Sequence, residues 1–323
     1  MLDREGTGAG GSWNRVAGAD GSIRLLDNWD WNSYAVMSRD PTKRGGQYAY
    51  RSSVSHEGNF FHSKTGVLEV GSGFSNDIGY FRRTDTRKYL LDIGIRPRPP
   101  WLAPLGIREM HPHVVWNYYE SLSGDVTAKH LHTGYTFFLS DGAFVEYSVN
   151  PTFQRIFTPF TINGAIPPIP PGGYAWTEHQ LKGATDLSRP LSLQYTFTVG
   201  GLWSGRQRTQ QLLVGVRPSA HFGATVGVSH TMATLDQPAA TFDALLWTTR
   251  ATYSFTTNMF LDGLAQYDPR AHLLNANMRF NLIHHPLSDL FVVLNQQRIS
   301  TPDAPPVAPG SSAIVKYTHM FSF

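Results

Sequence analysis

Residues 311–323 read Ser311-Ser-Ala-Ile-Val-Lys-Tyr-Thr-His-Met-Phe-Ser-Phe323, and the stretch alternates without a break. Ala313, Val315, Tyr317, His319, Phe321 and Phe323 fall on one face; Ile314, Lys316, Thr318, Met320 and Ser322 fall on the other. A period of two is the signature of a β-strand, because successive side chains point to opposite faces. The same period recurs upstream. Leu191, Leu193, Tyr195, Phe197 and Val199 oppose Ser192, Gln194, Thr196 and Thr198. Phe222, Ala224, Val226 and Val228 oppose Gly223, Thr225, Gly227 and Ser229, and Leu274, Ala276, Met278, Phe280 and Leu282 oppose Asn275, Asn277, Arg279 and Asn281.

Working outward in this way, strand candidates fall at residues 14–25, 29–39, 46–56, 62–72, 88–97, 105–119, 124–138, 142–156, 172–185, 189–201, 205–217, 219–233, 240–254, 258–267, 271–283, 287–299 and 311–323. Many exceed the five or six residues, roughly, of an ordinary globular strand. They match the 9–11 residues or so that a tilted strand needs to cross a bilayer. The Pro-rich runs Arg96-Pro-Arg-Pro-Pro and Ile166-Pro-Pro-Ile-Pro-Pro-Gly-Gly lack the amide donors a ladder needs, so they are connections.

Composition points the same way. Of 323 residues, 16% are charged, well below the usual quarter or so, and 13% are aromatic. Mean hydropathy is nevertheless negative, at -0.26. A transmembrane β-barrel reconciles these values: one face is apolar, and the other carries Ser, Thr, Asn, Gln and Gly rather than the Lys and Glu of a water-facing sheet. No apolar run reaches the roughly 18 residues of a membrane helix. The chain has no Cys, which fits passage through an oxidising compartment. The net charge of +3 is spread along the chain with no basic block, so no nucleic-acid partner is expected.

The fold expected is therefore all-β: an antiparallel transmembrane β-barrel of about 16–18 strands, one domain over 1–323 with a flexible start at 1–11. The final stretch also resembles the terminal insertion signal of bacterial outer-membrane barrels, with Lys316, Phe321 and Phe323 at matching positions and Thr318 where Gly is usual. That resemblance implies insertion into the outer-membrane bilayer by the barrel-assembly machinery. With the C-terminus periplasmic, connections 284–286, 255–257, 218, 186–188 and 139–141 lie on the periplasmic side. Connections 300–310, 234–239, 157–171 and 73–87 then lie outside and are longer, the expected asymmetry, with 202–204 and 268–270 as short outer exceptions and 98–104 as a longer inner one. The odd count of candidates and the polar, Gly-rich start, which is no signal peptide, lead to the expectation of an N-terminally truncated barrel whose preceding strand is missing.

Three segments carry a wider resemblance: Ser12-Trp-Asn-Arg-Val-Ala-Gly-Ala-Asp, Gly73-Phe-Ser-Asn-Asp-Ile-Gly-Tyr-Phe-Arg-Arg-Thr-Asp, and Arg279-Phe-Asn-Leu-Ile-His-His-Pro-Leu-Ser-Asp-Leu-Phe-Val-Val-Leu-Asn. Together they resemble an uncharacterised bacterial family of outer-membrane β-barrel domains. Members usually follow a family-9-like carbohydrate-binding domain. In the third segment Leu287 stands where that family tends to have Gly. The resemblance spans nearly the whole chain, implies a Gram-negative outer-membrane location, and brings no catalytic residues.

Candidate functional residues follow from this frame. Glu146, Arg279, Asn277 and Asn281 lie on polar faces and are candidates to line a lumen. Trp101, Trp116, Trp203, Trp247 and Tyr253 fall near predicted strand ends, where amphipathic rings suit the headgroup layer. A sugar-stacking platform is the competing use of such rings, best placed around residues 157–174. His111 and His113, and likewise His130 and His132, are spaced two apart and share a face. Paired His can hold zinc, but a closed site needs about four ligands. The sequence identifies no third, so no metal and no cofactor are expected. Gly-x-Ser-x-Gly is absent, as are phosphate-binding and dinucleotide fingerprints. The expected function is passage or capture of solutes, such as oligosaccharides or peptides, at the outer membrane, without enzymatic activity. The alternatives are a barrel-anchored hydrolase and a structural anchor for an upstream carbohydrate-binding domain.

Overall fold

The computed structural model describes residues 2–5, 13–77, 79–162, 166–299 and 310–320. Among these the chain forms β1 (Leu2–Glu5), β2 (Trp13–Leu26), β3 (Trp29–Arg39), β4 (Tyr48–Glu57), β5 (Phe61–Val70) and β6 (Thr86–Ile95). A 3-10 turn at Pro100–Leu105 leads into β7 (Ile107–Glu120), β8 (Val126–Leu139), β9 (Phe144–Ile156), β10 (Gly172–Ala184) and β11 (Leu191–Leu202). Then come β12 (Gly205–Val216), β13 (Phe222–Asp236), β14 (Ala239–Thr256), β15 (Met259–Asp268), β16 (Leu273–His285), β17 (Ser288–Ile299) and β18 (Ser311–Tyr317). The fold is all-β and antiparallel, as the alternation requires.

Two compact units are described in turn, Met1–Phe138 with Tyr147–His179 and Gly201–Ser204, and Leu139–Glu146 with Gln180–Gly200 and Gly205–Phe323. In the first, β1 to β7 form an up-and-down ladder in chain order, each strand paired with the next. In the second, β12 to β18 do the same.

Cross-strand partners share a face, so the registers sort the side chains into two surfaces. In β6, Tyr89, Leu91, Ile93 and Ile95 are exposed while Leu90, Asp92 and Gly94 between them are not. In β11, Leu191, Leu193, Tyr195 and Val199 are exposed and Ser192, Gln194, Thr196 and Thr198 are half-buried. Leu193 is 44% exposed and Val226 45%, whereas Thr136 is 2% exposed and Ser148 0%. In these strands the apolar face is the more exposed one and the polar face the less exposed, the reverse of a sheet that folds around a water-excluding core.

The apolar face of the first unit ends in a charged rim. Arg87 Nε donates to Glu69 Oε2 at 2.6 Å and Nη1 to Glu120 Oε1 at 3.1 Å. The hydroxyls of Tyr48 and Tyr50 donate to the two oxygens of Glu69 at 2.6 and 3.2 Å. Charged hydrogen bonds of this kind are the strong ones.

Several expectations are corrected. A strand does precede the one expected first: β1 pairs with β2 from Leu2↔Val16 to Glu5↔Trp13. The expected flexible start lies mostly outside the described residues. β18 stops at Tyr317, short of the expected end at 323, although Thr318 and Asp289 still exchange backbone hydrogen bonds. Connection 234–239 is no long loop: β13 and β14 run on until only Gln237 and Pro238 join them. The single-residue connection expected at Pro218 instead spans 217–221. In the Pro286–Leu287 turn, Leu287 has φ 60°, the left-handed region where Gly is the usual residue.

Candidate functional site

Two long connections fold back onto the sheet. In 71–85, Phe74 is buried against Ala49 and Val70, with Val36, Leu68 and Phe81 packed around them. These sheet residues all belong to the polar face, so the connection covers one end of it. Gly71 and Gly73 permit the approach. A Cβ on Gly71 would lie 2.1 Å from Gly46 O, and one on Gly73 would lie 2.3 Å from Arg44 O. Asn14 Nδ2 donates to Ser75 O at 3.1 Å, and Ser75 N–H to Ser38 Oγ at 3.1 Å. The neighbouring connection is fixed by Asp40, which accepts the hydroxyl of Thr42 at 2.7 Å and its N–H at 2.8 Å. Those bonds, the hydroxyl's first, hold the Asp40 carboxyl below its ordinary pKa.

Connection 157–171 is similarly tucked in. Phe160 and Ile169 exchange backbone hydrogen bonds, and Ile169 is wholly buried. Trp203 packs on Phe160 with ring centroids 5.8 Å apart and donates Nε1–H to Gln154 Oε1 at 3.2 Å. Trp203, a candidate for an interfacial belt, thus fastens a loop. Phe157 and Phe160 remain exposed where the competing reading placed a sugar-stacking platform.

On the polar face of the first unit lies a row of histidines. His62 of β5, Gly94 of β6 and His113 of β7 are successive register partners. Because Gly94 has no side chain, His62 reaches across it to β7, where its Nε2 lies 2.7 Å from Nε2 of His111. A Cβ on Gly94 would lie 2.3 Å from His62 Nε2 and 2.9 Å from His111 Nε2. His111 stacks on His113, centroids 4.5 Å apart and planes at 14°. Next along, Nε2 of His113 and Nε2 of His132 are 3.0 Å apart. Gly134 clears space here: its Cβ would lie 2.6 Å from His113 Nε2 and 2.8 Å from His132 Nε2. The outer nitrogens are engaged too. His113 Nδ1 faces the carbonyl oxygen of His111 at 3.0 Å, and His132 Nδ1 faces Asn150 Oδ1 at 2.7 Å. His62 Nδ1 lies 3.8 Å from Asp92 Oδ1.

The two His pairs read from the sequence are thus only partly one site. His111, His113 and His132 join the row; His130 turns to Thr152, 2.9 Å from Nδ1 to Oγ1. His62, Asp92, Gly94, Gly134 and Asn150 carried no sequence signal, since only register brings them in.

The other candidates are placed as follows. Asn277 Nδ2 donates to Asn295 Oδ1 at 2.5 Å, and Asn295 Nδ2 to Ser312 Oγ at 3.0 Å, a polar chain across β16, β17 and β18. Asn281 is buried, and among the described residues its Oδ1 has no hydrogen-bond partner. Arg279 Nη2 donates to Asp262 Oδ2 at 2.9 Å, while Thr252 holds the other oxygen at 2.7 Å. Glu146 is half-buried on the same face of β9 as Ser148 and Asn150. Trp101 is exposed in the 3-10 turn, and Trp116 is exposed on β7. Tyr253 is exposed near the end of β14, edge-on to Phe255. Trp247 is exposed but stands mid-way along β14, as it does in the strand expected at 240–254, and not near a strand end. Lys316 is exposed on β18 opposite Phe291. Phe321 and Phe323 lie outside the described residues.

Comparison with protein-family models returned no match, and comparison with curated proteins returned none.

Proposed function

We propose that this chain is a β-barrel of the Gram-negative outer membrane, passing or capturing solutes such as oligosaccharides or peptides. The observation that carries the reading is the inverted exposure of the strands. Leu191, Leu193, Tyr195 and Val199 are exposed along one face of β11 while Ser192, Gln194, Thr196 and Thr198 sit half-buried on the other. Long apolar stripes with nothing covering them are costly in water and favourable in hydrocarbon. The polar face then lines a lumen whose Asn, Ser, Thr and His side chains suit a hydrated solute. The oligosaccharide class is favoured by the resemblance to barrels that follow a carbohydrate-binding domain. The bilayer and the barrel-assembly machinery are the partners this reading requires.

Conductance tests it. Purified chain added to a planar bilayer is expected to give stepwise current, reduced by a translocating oligosaccharide or peptide. Inserted protein with no current would leave a membrane anchor as the better account.

A further inference from the structure

The hydrogen bonds around His113 and His132 fix more than position. His113 Nδ1 meets a backbone carbonyl, which can only accept, so that nitrogen carries the proton. His132 Nδ1 meets Asn150 Oδ1, also an acceptor, while Nδ2 of the same amide is directed to Ser148 Oγ at 3.5 Å. So His132 carries its proton on Nδ1 too. In the neutral imidazoles both Nε2 atoms then bear lone pairs, and these face each other at 3.0 Å. Two lone pairs at that distance repel unless a cation sits between them.

We propose that His113 and His132 form a binding site for a tetragonal divalent transition metal of the Cu(II) type, held by their two Nε2 atoms. The arrangement has the parts of a built metal site. Metal-binding imidazoles usually donate their other N–H to a carbonyl or carboxylate, which orients the ring and raises its basicity. Both rings do so here. Nitrogens about 2.0–2.1 Å from an ion are about 2.9 Å apart at a right angle and about 3.4 Å apart at the tetrahedral angle. The 3.0 Å spacing lies near the former, the geometry of Cu(II) or Ni(II). Gly134 keeps the space beside both Nε2 atoms clear, since any Cβ there would meet them. The adjacent His62–His111 pair has a similar spacing of 2.7 Å. Only the 3.8 Å approach of Asp92 addresses its tautomers, so the ion is assigned to His113 and His132. The site does not depend on solute passage and would bind metal in a barrel that conducts nothing.

The test is Cu(II) binding by the full chain in detergent, followed by calorimetry and by electron paramagnetic resonance. One tight equivalent with nitrogen hyperfine structure is expected. His113→Ala and His132→Ala should each weaken it at least tenfold. Asn150→Ala, which leaves both ligands in place, should weaken it about tenfold, the usual effect of removing an orienting partner. His179→Ala, on β10, should change nothing. Should a histidine variant fail to fold, Asn150→Ala alone decides. Failure to bind Cu(II), unchanged affinity in Asn150→Ala, or an unchanged spectrum in a folded His113→Ala/His132→Ala chain each overturns the proposal. The first of these outcomes would leave a shared proton between the two rings.

Discussion

Gly94 stands opposite His113 in the β6–β7 register, and the side chain it lacks is what lets His62 reach His111 across an intervening strand. Gly94→Ala would put a Cβ 2.3 Å from His62 Nε2. The nearest obstacles, His62 Nε2 and His111 Nε2, are the far ends of flexible rings that can swing aside, while His113 Cβ at 2.9 Å needs only a small shift of the neighbouring strand. Stability should change by less than about 1 kcal/mol, since alanine also removes the roughly 0.5–1 kcal/mol that glycine costs in a strand. The contact itself should be lost. Imidazole nitrogen NMR checks this: the His62 and His111 resonances should move and those of His284 should not.

Leu287 has φ 60° in a two-residue turn and is among the most exposed apolar side chains, so nothing in packing compensates its conformation. A left-handed backbone costs a residue with a Cβ roughly 1–2 kcal/mol. Leu287→Gly is expected to stabilise the chain by about 1 kcal/mol, glycine's larger unfolded entropy taking back the rest. In urea unfolding the midpoint should rise with the slope unchanged.

Phe74 anchors connection 71–85 to Ala49 and Val70. Phe74→Ala should remove about 3 kcal/mol from the docking of that connection, at the low end for a buried Phe. The opened state should become about a hundredfold more populated. Arg82 and Arg83 lie within the same connection, so trypsin should cleave there much faster than in the parent chain. An unchanged cleavage rate would mean that the hydrogen bonds of Ser75 with Asn14 and Ser38 hold the connection without Phe74.

Much of the architecture was legible because a period of two survives in single strands. The alternation of Leu191 to Val199, or of Leu274 to Leu282, needs no tertiary information to be read. The strand ends were less legible. Pro218 reads as a turn, yet β12 stops at Val216 and β13 starts only at Phe222. Gln237 and Pro238 read as part of a longer loop, because nothing local says that β13 and β14 pair up to Asp236↔Ala239. The site was legible by halves. The spacing of His111 and His113 puts them on one face, but His62 enters through its register with Gly94, a relation between residues far apart in the chain. Asn277 and Asn281 follow from alternation alone; the partner of Asn277, Asn295, does not.

The central claim is that the exposed apolar face meets lipid, and one comparison tests it directly. Val226 is exposed, so in water an arginine there would cost within about 0.5 kcal/mol of nothing. Against the middle of a bilayer the same substitution costs about 2–4 kcal/mol. Thr196 lies on the polar face, where arginine has a hydrated environment and should cost under about 1 kcal/mol. The measurement is the unfolding free energy of Val226→Arg and Thr196→Arg in phospholipid vesicles. A penalty of about 2 kcal/mol or more for Val226→Arg, with little for Thr196→Arg, is the result expected. A negligible penalty at Val226, or a larger one at Thr196, would contradict a lipid-facing surface.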